Sequence, residues 1–143
     1  MHTTELKHGR TWLIRLDTDA PLYKQILDAG AELGIEAATF TLIGALQNVV
    51  VRYVDQEAKE YRDLELNQHM EMLSGVGNFS LKDGKPFVHC HITVAAEDGS
   101  AYGGHLHEEK PSLIFVTELW LQELLGDAPV RLFDERCGLA LWQ

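Results

Sequence analysis

Residues Phe87-Val88-His89-Cys90-His91-Ile92-Thr93-Val94 alternate between two kinds of side chain. On a β-strand, successive side chains point to opposite faces of the sheet. Val88, Cys90, Ile92 and Val94 then share one apolar face, which predicts a core position. Phe87, His89, His91 and Thr93 share the other face. A His-x-His pair on one strand sets two imidazoles side by side with a common outlook. The stretch therefore reads as a half-buried strand whose outer face carries groups that packing alone does not require.

The same logic extends to the neighbouring segments. Upstream, Asn78 to Leu81, the turn Lys82-Asp83-Gly84-Lys85, and Phe87 to Ala95 read as a hairpin. Downstream, Glu97-Asp98-Gly99 reads as a three-residue loop with Gly99 in the left-handed position, leading into Ala101 to Leu106. Ala96 then lies opposite Ser100. Counting back, His91 lies opposite His105 and His89 opposite His107. Directly opposed residues have Cβ atoms about 4.5–5.5 Å apart, so up to four imidazoles converge on one patch. Neutral imidazole suits Zn, Fe, Ni or Cu. The prediction depends on register, since a slip of one residue turns His105 to the other face. Gly103-Gly104 is a place where a bulge would produce that slip. His2, His8 and His69 lie outside the cluster.

The rest of the chain supplies mostly strands. Thr11 to Leu16, Ala37 to Leu46 and Asn48 to Val54 are apolar and rich in β-branched residues. One helix is predicted. Pro21 opens it, Leu22, Ile26, Ala29 and Leu33 form its apolar stripe, and Gly34 ends it. Asp55 to Glu65 is charged and ambiguous. Met70 to Leu73 reads as a strand that Gly75 and Gly77 interrupt. Leu113 to Leu125 fits strand or helix by periodicity, with strand favoured in its first half. Val130 to Phe133 and Leu139 to Trp142 add two short strands. Tight turns between strands predict antiparallel pairing. The expected class is α+β, one helix packed on a sheet, in a single domain over residues 1–143.

Composition excludes several functions. The chain of 143 residues holds 22 acidic and 12 basic residues, a formal net charge of −10. DNA affinity depends largely on Lys and Arg neutralising phosphates, and no basic run of 5–8 residues occurs. No apolar stretch approaches the roughly 20 residues of a membrane helix. No signal peptide is seen at the N-terminus, so the expected location is the cytoplasm. Cys90 and Cys137 are too few for a disulfide framework. The glycines match neither a dinucleotide nor a phosphate loop. Ser74 is not in a nucleophile elbow.

Several motifs occur in a telling order: Ile43-Gly44-Ala45-Leu46, Glu71-Met72-Leu73-Ser74-Gly75-Val76-Gly77-Asn78, Asp83-Gly84-Lys85-Pro86, His89-Cys90-His91, Asp98-Gly99 and Gly103-Gly104-His105-Leu106. Arg15 and Arg131-x-x-Asp134 flank them. Together they resemble the PPC domain, the plant and prokaryote conserved domain, over roughly Arg10 to Leu141. The resemblance implies a curved, mostly antiparallel sheet, a homotrimer, and a metal held by His89, His91 and His105, with zinc the expected ion. His107 and Glu71 are candidates for an additional ligand or a supporting hydrogen bond. Glu71 is also a candidate partner for Arg131. The family label of DNA binding comes largely from plant members with an Arg-Gly-Arg-Pro AT-hook. Here Gly9-Arg10 is followed by Thr11. The expectation is therefore an assembly and partner-binding module, with protein partners favoured over direct DNA contact. A metal-dependent enzyme on a small molecule is the alternative, although no nucleophile–base constellation is legible.

Overall fold

The computed structural model describes residues 2–143. The strands are β1 (Lys7–Leu16), β2 (Ala38–Leu46), β3 (Val49–Asp55), β4 (Glu60–Leu66), β5 (Met70–Lys82), β6 (Lys85–Ala95), β7 (Ala101–Leu106), β8 (Ile114–Leu125), β9 (Val130–Asp134) and β10 (Leu139–Trp142). One helix, α1 (Leu22–Glu32), lies between β1 and β2. Eight strands follow in the order β1-β8-β2-β5-β6-β7-β3-β4. Their pairings are antiparallel. β9 adds in parallel to the end of β5, and β10 pairs with β9.

This corrects the α+β expectation. The chain is 61% strand and 8% helix, a largely β fold. The two ambiguous segments account for much of the difference. Charged Glu60–Leu66 is a strand along its whole length, and so is Ile114–Leu125. Helix α1 has only 11 residues and buries Leu22, Ile26 and Gly30. Pro21 precedes its first turn, and the orphan Leu22 N–H donates to the Ser112 carbonyl at 2.9 Å.

A second correction concerns Gly75 and Gly77, which do not interrupt a strand. β5 runs through both for 13 residues. They stand opposite Leu42 and Phe40 of β2. A Cβ added at Gly77 would meet Phe40 Cζ at 2.2 Å, and one at Gly75 would meet Leu42 Cγ at 2.7 Å. The glycines leave room for two large side chains to lie over the neighbouring strand. Phe40 then packs edge-on against Phe79, ring centroids 5.8 Å apart.

The core lies on the inner face of the sheet and under α1. Leu22, Ile26, Phe40, Leu42, Phe79, Val88, Ile92, Leu119 and Leu121 are all buried there. The outer face differs. One register row crosses the sheet through Leu13, Trp120, Thr41, Val76, His91, His105 and Arg52. Leu13 is 65% exposed and Val76 57%. Ile43, Val116 and Trp120 extend this apolar surface. It runs across the sheet to the histidines.

Candidate metal centre

β6 and β7 hold the site. The turn before β7 has the predicted form: Gly99 adopts φ +82°, and the Ala96 N–H donates to the Ser100 carbonyl at 2.9 Å. His91 stands opposite His105, and Gly103-Gly104 pair with Thr93 and Ile92 without a shift. Both histidines therefore face outward. His89 lies one outward position earlier on β6, opposite Asn78 of β5.

Ring centroids are 5.0 Å apart for His89–His91, 5.1 Å for His89–His105 and 5.4 Å for His91–His105. One nitrogen from each ring can be chosen so that all three lie within 4.8 Å of one another. Ligands of a tetrahedral zinc are about 3.3 Å apart, from Zn–N bonds of about 2.0–2.1 Å. Small side-chain rotations cover that difference. Two of the donors are also biased towards the neutral form. Burial pushes His89 down to about 4, helped by His105, Arg131 and His91. Burial, followed by the neighbouring His105, lowers His91 in the same direction. A neutral imidazole keeps the lone pair that a metal needs. The group fits a divalent metal by donor chemistry and by proximity.

The structure does not bring His107 to this group. β7 ends at Leu106, and the chain then follows β3, with the His107 N–H donating to the Val50 carbonyl at 3.2 Å. The buried His107 ring is committed locally. Its Nδ1 accepts from the Glu109 and Lys110 N–H groups at 3.0 and 2.9 Å, and its Nε2 lies 3.5 Å from an Asp63 oxygen. Glu71 is also apart. It pairs with Ala95, four residues along β6 from His91, and is exposed. Nor does it meet Arg131, whose partners are Ser80, Asn78 and Ala140.

Two residues beside the cluster were not singled out from the sequence. Glu108 Oε1 lies 3.7 Å from His105 Nε2, and that contact chiefly holds the Glu108 carboxyl below its usual range. The Tyr61 ring stands 5.8 Å from His105 and 4.8 Å from the Arg52 guanidinium. Glu108 follows His105 by three residues, a faint signal. Tyr61 was hidden in a segment whose charges masked a strand.

The sequence profile of the Plants and Prokaryotes Conserved (PCC) domain matches residues 3–125. The chain belongs to this family, the PPC domain. Two solved structures of high similarity agree. A metal-containing protein from Archaeoglobus fulgidus is 43% identical, with TM-score 0.94, covering 100% of this chain and 99% of that one. A plant- and prokaryote-conserved protein from Pyrococcus horikoshii is 40% identical, with TM-score 0.92, covering 100% and 97%. A candidate DNA-binding protein from Bacteroides thetaiotaomicron shares the fold at 22% identity and TM-score 0.84, covering 96% of each chain. No curated protein matches the sequence. Among the described residues no helix is long and apolar enough to cross a membrane.

Proposed function

We propose that this PPC domain is a metal-binding, self-assembling module that contacts other proteins, with zinc held by His89, His91 and His105. The carrying observation is the convergence of three imidazoles, with donor nitrogens all within 4.8 Å, at the end of an exposed apolar sheet face. A metal-containing relative of 43% identity supports the metal. A contiguous exposed apolar patch on a folded domain marks an interaction site. Closing three copies around an axis would cover it and protect the sheet edges. Leu13, Val76 and Trp120 would lie in that contact.

Direct DNA contact is the weaker part of the family description for this chain. The net charge is −10. Arg10, Lys24, Arg52, Arg62, Lys110 and Arg136 are each ion-paired with a carboxylate. Arg131 is buried, so it cannot join Arg15 and Arg52 in one basic face. Duplex binding is expected at the non-specific level of about 10⁻⁴–10⁻⁶ M.

A second reading, a metal-dependent enzyme on a small molecule, is favoured by one observation. Three protein ligands leave a coordination position for water, and a cavity of ≈ 440 Å³ opens beside His89 and His105.

Elemental analysis and light scattering of the purified chain test the main reading. One divalent metal per chain and a trimer mass are expected. Metal retained by a triple alanine variant of the three histidines, or a clean monomer at micromolar concentration, overturns it.

A further inference from the structure

The cavity beside the histidines is walled by Tyr61, Phe87, His89, His105 and the β9–β10 hairpin, with Lys82 and Arg131 in its lining. Arg131 is the unusual group. It is only 6% exposed. Its Nε donates to Ser80 Oγ at 2.7 Å, Nη1 to the Ala140 carbonyl at 3.1 Å, and Nη2 to Asn78 Oδ1 at 3.1 Å. All three acceptors are neutral. A guanidinium has five N–H donors, so two remain. Among the described residues no carboxylate forms an ion pair with Arg131, although other arginines of the chain take one. Burial lowers its proton affinity, and no carboxylate raises it again. A buried cation without a counter-charge is costly, and this chain has acids to spare.

Lys82, the register neighbour of Arg131, is partly exposed and forms no ion pair among the described residues. Its Nζ stands 5.1 Å from the centre of the Phe87 ring, and the Arg131 guanidinium carbon stands 5.2 Å from the same ring. Two cations thus gather at one aromatic side chain without an acid paired to either. The carboxylates in the same wall are otherwise placed. Glu108 engages His105 and feels the Lys82 charge without pairing with it, and Asp83 is exposed at the hairpin turn. The β9–β10 side of the wall is apolar: Leu132 and Phe133 are 53% and 68% exposed, and Leu141 is 39% exposed. A volume of ≈ 440 Å³ lies within the range of small-molecule sites.

We propose that this cavity binds a small molecule bearing an oxyanion, a carboxylate or a phosphate, whose charged end is held by Arg131 and Lys82 and whose apolar body lies against Phe87 and the β9–β10 hairpin. The anion supplies the missing counter-charge, takes the two free guanidinium N–H groups, and separates two like charges. Asn78, which accepts from Arg131, stands opposite His89. The charged end of the ligand is thereby set beside the histidine group. The site uses neither metal nor imidazole to bind its anion, so it stands or falls separately from the metal assignment.

Calorimetric titration of the full chain, as purified and after chelator treatment, tests this with phenyl phosphate, benzoate and neutral benzamide. At least one anion saturates at one per chain in both preparations, and the two anions distinguish phosphate from carboxylate. Benzamide binds about tenfold more weakly or less. Lys82→Ala, at the rim, weakens the bound anion by about tenfold. Arg131→Lys weakens it too, with circular dichroism reporting whether that buried change is tolerated. No saturation by either anion, benzamide binding as well as benzoate, or unchanged affinity in Lys82→Ala would overturn the proposal. So would binding that appears only with metal present and survives Lys82→Ala.

Discussion

The two faces of β6 alternate residue by residue and serve opposite ends. On the inner face Val88, Cys90, Ile92 and Val94 are at most 2% exposed and pack in the core. On the outer face His89 is half-buried and His91 exposed, and neither is needed to fill space. One strand thus serves twice, once for stability and once for chemistry. Changes on one face should leave the other's property nearly intact.

The largest separation is expected from a cavity on the inner face. Ile92→Ala removes buried carbon and should destabilise the fold by about 2–5 kcal/mol in denaturant unfolding. The fraction that remains folded should still bind metal with the parent stoichiometry. Loss of metal from well-folded Ile92→Ala protein would show that the two faces are not independent. The outer-face counterpart is His91→Ala. Metal content by elemental analysis should fall to near zero, while the metal-free protein loses no more than about 0.5 kcal/mol. Unfolding of the metal-free variant would assign His91 to packing instead.

A pH effect sharpens the contrast. The folded His89 takes up its proton near 4, below the ordinary histidine value of 6.5. The unfolded chain therefore binds more protons between these values, and stability rises with pH there. Metal-free protein should lose stability as pH falls from about 6.5 towards 4. His89→Gln should flatten that slope in denaturant titrations. An unchanged slope would mean that other groups dominate.

The smallest effect concerns the inner thiol. Burial pushes Cys90 up to about 12, so it stays protonated and slow to alkylate at pH 8. Cys137 is partly exposed. Iodoacetamide should label one cysteine in the native state and two after unfolding. Rapid native labelling of Cys90 would show that the inner face opens readily.

Much of this was legible in the chain itself. Period-2 alternation over Phe87–Val94 assigned both faces of β6 without any partner strand, because the pleat alone sets side-chain direction. The loop Glu97-Asp98-Gly99 set the register of His105 against His91, because a short turn leaves few ways to pair the strands it joins. The neighbouring details were not local. His107 continues the same spacing, yet it left the cluster when the chain turned to follow β3 and its Nδ1 found two backbone donors. Gly75 and Gly77 looked like breaks because their reason lies on another strand, in the bulk of Leu42 and Phe40. The charged run Glu60–Leu66 became a strand because β3 offered it a full ladder of hydrogen-bonding partners, which its own composition does not reveal. Arg131, 40 residues after His91, reached the histidines only because β9 docks in parallel on β5. Local sequence determines which way a side chain points along its own strand. Which distant side chains meet it depends on strand order, and strand order is settled by burying all the inner faces at once.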